Sequence, residues 1–170
     1  MDLSLRPLKM TDLATILPWH NDAELYSHLL GQFRGPVSEE ACRQWLSRQV
    51  ESPANSASLA IEVGTPSRHI GNIYFRDIET VSGRAEFHIF IGDKNLRGQG
   101  IGTRIMQIAV AYARAQLKLR RLYLLVLAEN LPAIRVYEKA GFEKEGVLRA
   151  HALKGGRYQD VWVMGRNEAL

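Results

Sequence analysis

The chain has a single cysteine, Cys42, among 170 residues, so no internal disulfide can form. No Cys-x-x-Cys pair or His/Cys cluster suggests a metal ligand set. No apolar run approaches the length needed to cross a bilayer. The opening Met1-Asp2-Leu3-Ser4-Leu5-Arg6 lacks the basic-then-apolar order of a secretory leader. These absences lead us to expect a cytoplasmic protein with no metal and no membrane association. Internal repeats, low-complexity tracts and linkers are also missing, and the length suits one domain over residues 1–170. The net charge of +4 is small and its basic residues are scattered. The densest group, Lys118, Arg120 and Arg121, ends a helical pattern, where cations suit the macrodipole. We therefore expect no nucleic-acid partner, while the mild excess suits an anionic cofactor.

The most informative stretch is Ala85–Thr103. Glu86, His88 and Phe90 alternate with Phe87, Ile89 and Ile91, which predicts a strand. Glycines 98, 100 and 102 follow, then a helical pattern from Ile101 to about Lys118. A strand, a glycine-rich turn and a helix start make an anion site. Glycine lets the backbone approach closely, and the first helical N–H groups lack partners. The ligand expected in such a nest is a phosphate or pyrophosphate. The Walker pattern G-x-x-x-x-G-K-S/T is absent. The dinucleotide pattern G-x-G-x-x-G fails because Thr103 and Ile105 stand where a third glycine would be needed.

What stands there is Arg97-Gly98-Gln99-Gly100-Ile101-Gly102. Downstream lies a segment from Asn130 to Phe142 carrying Asn130, Ala133, Tyr137, Lys139, Gly141 and Phe142. Together these resemble the two signature segments of the GNAT N-acetyltransferase superfamily, in its order. The resemblance covers roughly residues 3–165 and implies acetyl-CoA as cofactor. It implies a pyrophosphate loop at Arg97, Gly98, Gln99, Gly100, Ile101, Gly102 and Thr103. Pantetheine would be held by backbone around Ile89, Phe90 and Ile91, on a strand splayed from its neighbour. Asn130 and Ala133 would lie near the pantetheine arm, Asn130 equally serving as a helix cap.

The remaining pattern predicts an α/β protein, one mixed and mostly antiparallel sheet with helices on both faces. Leu3–Leu8 reads as a strand and Thr11 as the N-cap of a helix interrupted near Pro18. A short helix follows from about Asp22, and a third opens at Ser38-Glu39-Glu40. Three strands form a meander over 58–91. A buried strand, 122–127, precedes a helix over 131–140, and strands 142–149 and 158–164 close the sheet.

The implied reaction transfers the acetyl group of acetyl-CoA to a primary amine by direct attack in a ternary complex. Tyr137 matches the family tyrosine near the CoA sulfur and is the expected proton donor; otherwise its ring packs on the sheet. Glu86 is the expected base or amine anchor. It lies in an Arg-Ala-Glu-Phe quartet shared with spermidine N-acetyltransferases, where this glutamate faces the polyamine; otherwise it pairs with Arg76 or Arg84 on the strand surface. His88, on the same face, is a second base or a hydrogen-bonded histidine. The expected acceptor contacts are Trp19, His20, Asp22, Glu24, Tyr26, His88 and Tyr158. The expected acceptor is a small polar amine such as an amino sugar or a polyamine. A protein N-terminus is the alternative, as is a GNAT-like module that binds CoA without efficient catalysis. Relatives of this type are often homodimers, although no interface signal stands out in the sequence.

Overall fold

Alternation with period 2 and the turn residues between the runs set the sheet. In the computed structural model, which describes residues 2–96 and 98–168, the strands are β1 (Leu3–Pro7), β2 (Ala57–Val63), β3 (Arg68–Glu79), β4 (Arg84–Ile91), β5 (Arg121–Leu127), β6 (Glu143–Lys154) and β7 (Arg157–Asn167). They form one seven-stranded sheet in the order β1-β2-β3-β4-β5-β7-β6. Every neighbouring pair is antiparallel except β4 with β5. That parallel step needs a crossover, supplied by α4 (Ile101–Ala115).

The helices fall on both faces. Ile101, Ile105, Met106, Ala109 and Ala113 form the buried stripe of α4. They pack with Ile134 of α5 (Leu131–Lys139) on Leu59, Ile61, Ile73, Phe75 and Phe87 of the sheet. On the other face, Leu13 and Ile16 of α1 (Leu13–His20) and Cys42 and Leu46 of α3 (Glu39–Val50) pack on Ala60 and Tyr74. The short α2 (Ala23–Ser27) links α1 to the loop before α3.

The capping details are partly those expected. Ser38 Oγ accepts from Ala41 N–H at the start of α3, and Asp22 Oδ1 accepts from Leu25 N–H (3.1 Å) at the start of α2. Thr11 is not a cap. A 3₁₀ turn over Met10–Asp12 precedes α1, and the buried Asp12 carboxylate accepts from Lys9 N–H (2.9 Å). It also accepts from Arg6 Nη1 and Nη2 at 2.8 and 2.7 Å. A carboxylate that gains an arginine fork outcompetes a hydroxyl for that turn. Pro18 does not break α1; the helix carries it in its last turn and ends at His20. The closing hairpin is longer than its alternation suggested. Register shifts between Lys144 and Gly146 and between Leu148 and Ala152 let β6 run on to Lys154.

Candidate active site

The glycine loop has the backbone that its sequence demands. Gly98 and Gly100 take left-handed φ values of 75° and 72°, and Gly100 is the N-cap of α4. A Cβ placed on either would meet nothing within 4 Å, so the space above the loop is open. The first N–H groups of α4 have no intrahelical acceptors, and the positive end of its macrodipole faces that space. Gly102 serves packing: a Cβ there would lie 3.4 Å from Val136 of α5. The Gln99 side chain turns back, its Nε2 donating to the Asn95 carbonyl (2.7 Å). Arg97, expected in this loop, lies outside the described residues.

The second feature is a break in the sheet. β4 pairs with β5 only at Arg84–Arg121, Ala85–Leu122 and Glu86–Tyr123. On its other side β4 stays paired with β3 as far as Ile91. Beyond Glu86 the parallel strands therefore part, leaving Phe87–Ile91 with strand partners on one side only. A cleft of about 980 Å³ opens there. Ile89, Phe90 and Ile91 line it, with Gly98, Gly100, Ile101, Gly102 and Thr103 at the loop and Asn130, Ala133 and Tyr137 on the β5–α5 side.

These residues fit acetyl-CoA. An open glycine nest at a helix N-terminus suits a pyrophosphate. A strand edge with free backbone groups suits an arm carrying amides. Asn130 caps α5, its Oδ1 accepting from Ala133 N–H (3.3 Å), while its Nδ2 donates to the His28 carbonyl (3.0 Å). It thus fixes both a helix start and the segment after α2.

Tyr137 presents its side chain to the cleft, with its ring 6.1 Å from that of Phe142. Its hydroxyl makes no hydrogen bond to the described residues, and burial pushes its pKa up to about 12. The phenol therefore keeps its proton at neutral pH. Glu86 and His88 share a face of β4, and His88 Nε2 lies 3.2 Å from Glu86 Oε1. Of the two, His88 lines the cleft and Glu86 does not. Burial lowers the His88 pKa below the usual imidazole range, Glu86 pulling it up and Arg76 pushing it further down. A neutral imidazole held by a carboxylate is equipped to accept a proton. Glu86 does not pair with Arg76. That guanidinium instead donates to the Ala57 and Phe75 carbonyls, to Ser58 Oγ and to Gln49 Oε1.

Of the other acceptor contacts expected from sequence, none lines the cleft. Trp19 lies edge-on to His69 and Phe90, at centroid distances of 5.0 and 5.7 Å. His20 packs on Trp45 at 4.4 Å, with burial lowering its pKa. Asp22 and Glu24 both hold Lys94, at 2.9 and 2.6 Å. Tyr26 packs on Phe33, and Tyr158 is 73% exposed on β7. The wall is built instead from residues not expected to meet the acceptor: Trp45 and Gln49 of α3, Tyr74 and Arg76 of β3, and His28–Gly31. A signal for them existed. Tyr74 and Arg76 alternate with the buried Ile73 and Phe75, and Trp45 and Gln49 are four apart on one helix. The 28–31 segment is tied down by Asn130 and by Lys154, whose Nζ donates to the carbonyls of Tyr26 (3.1 Å) and Gly31 (2.5 Å).

Residues 2–143 match the family of the acetyltransferase (GNAT) domain. The chain is 30% identical over 159 residues to spermidine N(1)-acetyltransferase of Escherichia coli K12, an alignment covering 94% of this chain and 82% of that one. It is 27% identical over 165 residues to the L-amino acid N-acetyltransferase AaaT of the same strain, covering 97% and 98%. Among solved structures, spermidine N-acetyltransferase from Vibrio cholerae, crystallised with CoA and spermine, superposes with a TM-score of 0.88. It is 27% identical and covers 98% of this chain and 95% of its own. The mixed sheet with helices on both faces is the fold of that neighbour.

Proposed function

The chain belongs to the GNAT acetyltransferase family and is an acetyl-CoA-dependent N-acetyltransferase of small amines, and from that premise we propose how its residues divide the work. The observation that carries the proposal is that His88 and Tyr137 line one cleft, and that this cleft opens where β4 and β5 stop pairing. The glycine loop and the first turn of α4 hold the pyrophosphate. Backbone groups of Ile89–Ile91 hold the pantetheine arm. Acetyl-CoA supplies a thioester whose C–S bond breaks as the amine nitrogen bonds to the acetyl carbon, leaving a thiolate.

His88, oriented by Glu86, accepts the proton that the amine loses. Tyr137 donates its phenolic proton to the sulfur, so the products are an N-acetyl amine and free CoA thiol. Transfer is direct, within a ternary complex. A strand N–H beside the splay stabilises the carbonyl oxygen as charge gathers on it, a kind of contribution worth a few kcal/mol. We assign the acceptor to small amines rather than a protein N-terminus. Its half of the cleft is walled by Trp45, Tyr74 and the 28–31 segment, which Lys154 and Asn130 hold in place.

Thiol release from acetyl-CoA with a panel of primary amines tests the reading. A thermal-shift titration with acetyl-CoA accompanies it, comparing wild type with Gly100→Asp. Binding at a hundredfold excess over Kd stabilises by about 2.7 kcal/mol. Gly100→Asp, which places a carboxylate in the open nest, is expected to fold and to lose that shift. A variant that keeps the full shift would remove the loop from the proposed cofactor site.

A further inference from the structure

We infer that the acceptor is a compact amine carrying its own anionic group, which Arg76 and the Gln49 amide receive while His88 faces the amine. The inference rests on the acetyl-transfer reading above and adds the class of acceptor.

Among the described residues no Asp or Glu side chain lines the cleft, whereas the cations Arg76, Arg135 and Lys139 do. A polycationic amine finds no carboxylate on such a wall. Glu86 sits opposite Arg76 across the β3–β4 ladder but spends its carboxylate on His88, and Asp77, next to Arg76 in sequence, does not line the cleft.

Arg76 is the focus of that positive wall. It is half-buried over the Tyr74 ring, with its guanidinium carbon 4.7 Å from the ring centroid. Four of its N–H groups go to neutral acceptors: the Ala57 and Phe75 carbonyls at 3.3 and 3.1 Å, Ser58 Oγ at 3.1 Å, and Gln49 Oε1. No carboxylate of the described residues pairs with it. Neutral partners satisfy its hydrogen bonds, and the neighbouring Asp77 acts on it only through the field of its charge, with no ion pair between them. These bonds also fix Gln49. Its Oε1 accepts from both Arg76 and Ser58 (3.3 Å), so its Nε2 protons have no acceptor among the described residues, on a side chain that lines the cleft. Arg76 and His88 are diagonal neighbours across the β3–β4 ladder, where Cβ atoms lie about 7 Å apart. Anion and amine must therefore be separated by only a few bonds. A carboxylate and a phosphate both meet this description.

The test compares matched amines by thiol release: L-α-amino acids against their carboxamides, glucosamine 6-phosphate against glucosamine, and spermidine as the polycation. In at least one pair the anionic member should have kcat/KM about 10- to 100-fold above its neutral partner. The pair that responds identifies carboxylate or phosphate. Arg76→Gln should collapse that ratio, chiefly through a raised KM for the anionic member. Arg76→Lys, which keeps the charge, should retain part of the preference and guards against a folding defect in the first variant. Thermal shifts of the CoA-loaded protein by the same amines give a readout that does not need turnover. Preference for spermidine or the neutral partners, or an unchanged ratio in folded Arg76→Gln, overturns the inference and leaves acetyl transfer intact. If no amine releases thiol, the catalytic reading fails by itself. The shifts then decide: stabilisation by the anionic members alone sustains the inference, and no difference overturns it.

Discussion

Replacing Tyr137 by Phe separates the roles its side chain can play. The ring faces Phe142 at 6.1 Å and fills part of the α5–sheet boundary, and Phe preserves that contact. The hydroxyl has no hydrogen-bond partner among the described residues, so removing it breaks no intramolecular bond. Folding stability should change by less than about 1 kcal/mol. Catalysis should respond very differently. Without a donor at the sulfur the thiolate must leave unprotonated, and loss of a general acid typically costs ~10²–10⁴ in rate. That range corresponds to about 2.7–5.4 kcal/mol of transition-state stabilisation. The pKa of about 12 keeps the phenol protonated well above neutrality, so the wild-type rate should not decline on the alkaline side before that region. The assay is stopped-flow thiol detection under single turnover, with acetyl-CoA affinity measured separately by thermal shift. The expected result is a kcat at least a hundredfold lower, with affinity and melting temperature kept. A folded variant with kcat within about threefold of wild type would sink the acid role and leave Tyr137 as packing alone.

Two further predictions concern stability. Asp12→Asn breaks a buried pair in which Arg6 and the Lys9 N–H hold the carboxylate pKa below its usual range, outweighing the burial that pushes it up. A depressed carboxylate adds stability that is present above its unfolded pKa, about 3.9, and lost as pH falls through its lower folded value. The variant should therefore lose about 3 kcal/mol at neutral pH, since Glu62 still holds Arg6 at 2.7 Å. Its stability should also fall less steeply than wild type below about pH 4; parallel acid-unfolding curves would argue against this. Gly92→Ala would put a Cβ 2.1 Å from the Trp19 ring. We expect a loss of about 1–3 kcal/mol in urea unfolding with an altered tryptophan fluorescence, and an unchanged midpoint and spectrum would contradict the packing described for Trp19.

The features on which the proposed cofactor half rests are local ones that residue types can carry. The left-handed turns at Gly98 and Gly100 depend on residue type alone, and the Asn130 cap is written in the residues beside it. The alternation of β4 likewise told which of its residues share a face. The acceptor wall depends on something else. Trp45, Gln49, Tyr74, Arg76 and His88 come from α3, β3 and β4, and only the antiparallel register sets Tyr74 opposite His88. The Trp19–Tyr26 stretch does not line the cleft, and a polar or aromatic side chain carries the same signal whether it packs, caps a helix or meets a ligand. There Trp19 and His20 pack on other rings, while Asp22 and Glu24 hold Lys94. The β4–β5 splay has no signature in either strand, since it is a property of their pairing.

An unpaired strand edge is usually a hazard. Its free N–H and C=O groups recruit other chains, and proteins blunt such edges with charge, bulges or brevity. Here the β4 edge from Phe87 to Ile91 carries none of those guards and reads as an apolar, aggregation-prone segment. It is tolerable because the edge faces inward. With α4 and α5 on one face and α3 on the other, it opens into the cleft rather than onto the rim of the sheet. What would be an invitation to oligomerise at the rim becomes, at the centre of the sheet, one wall of a cavity.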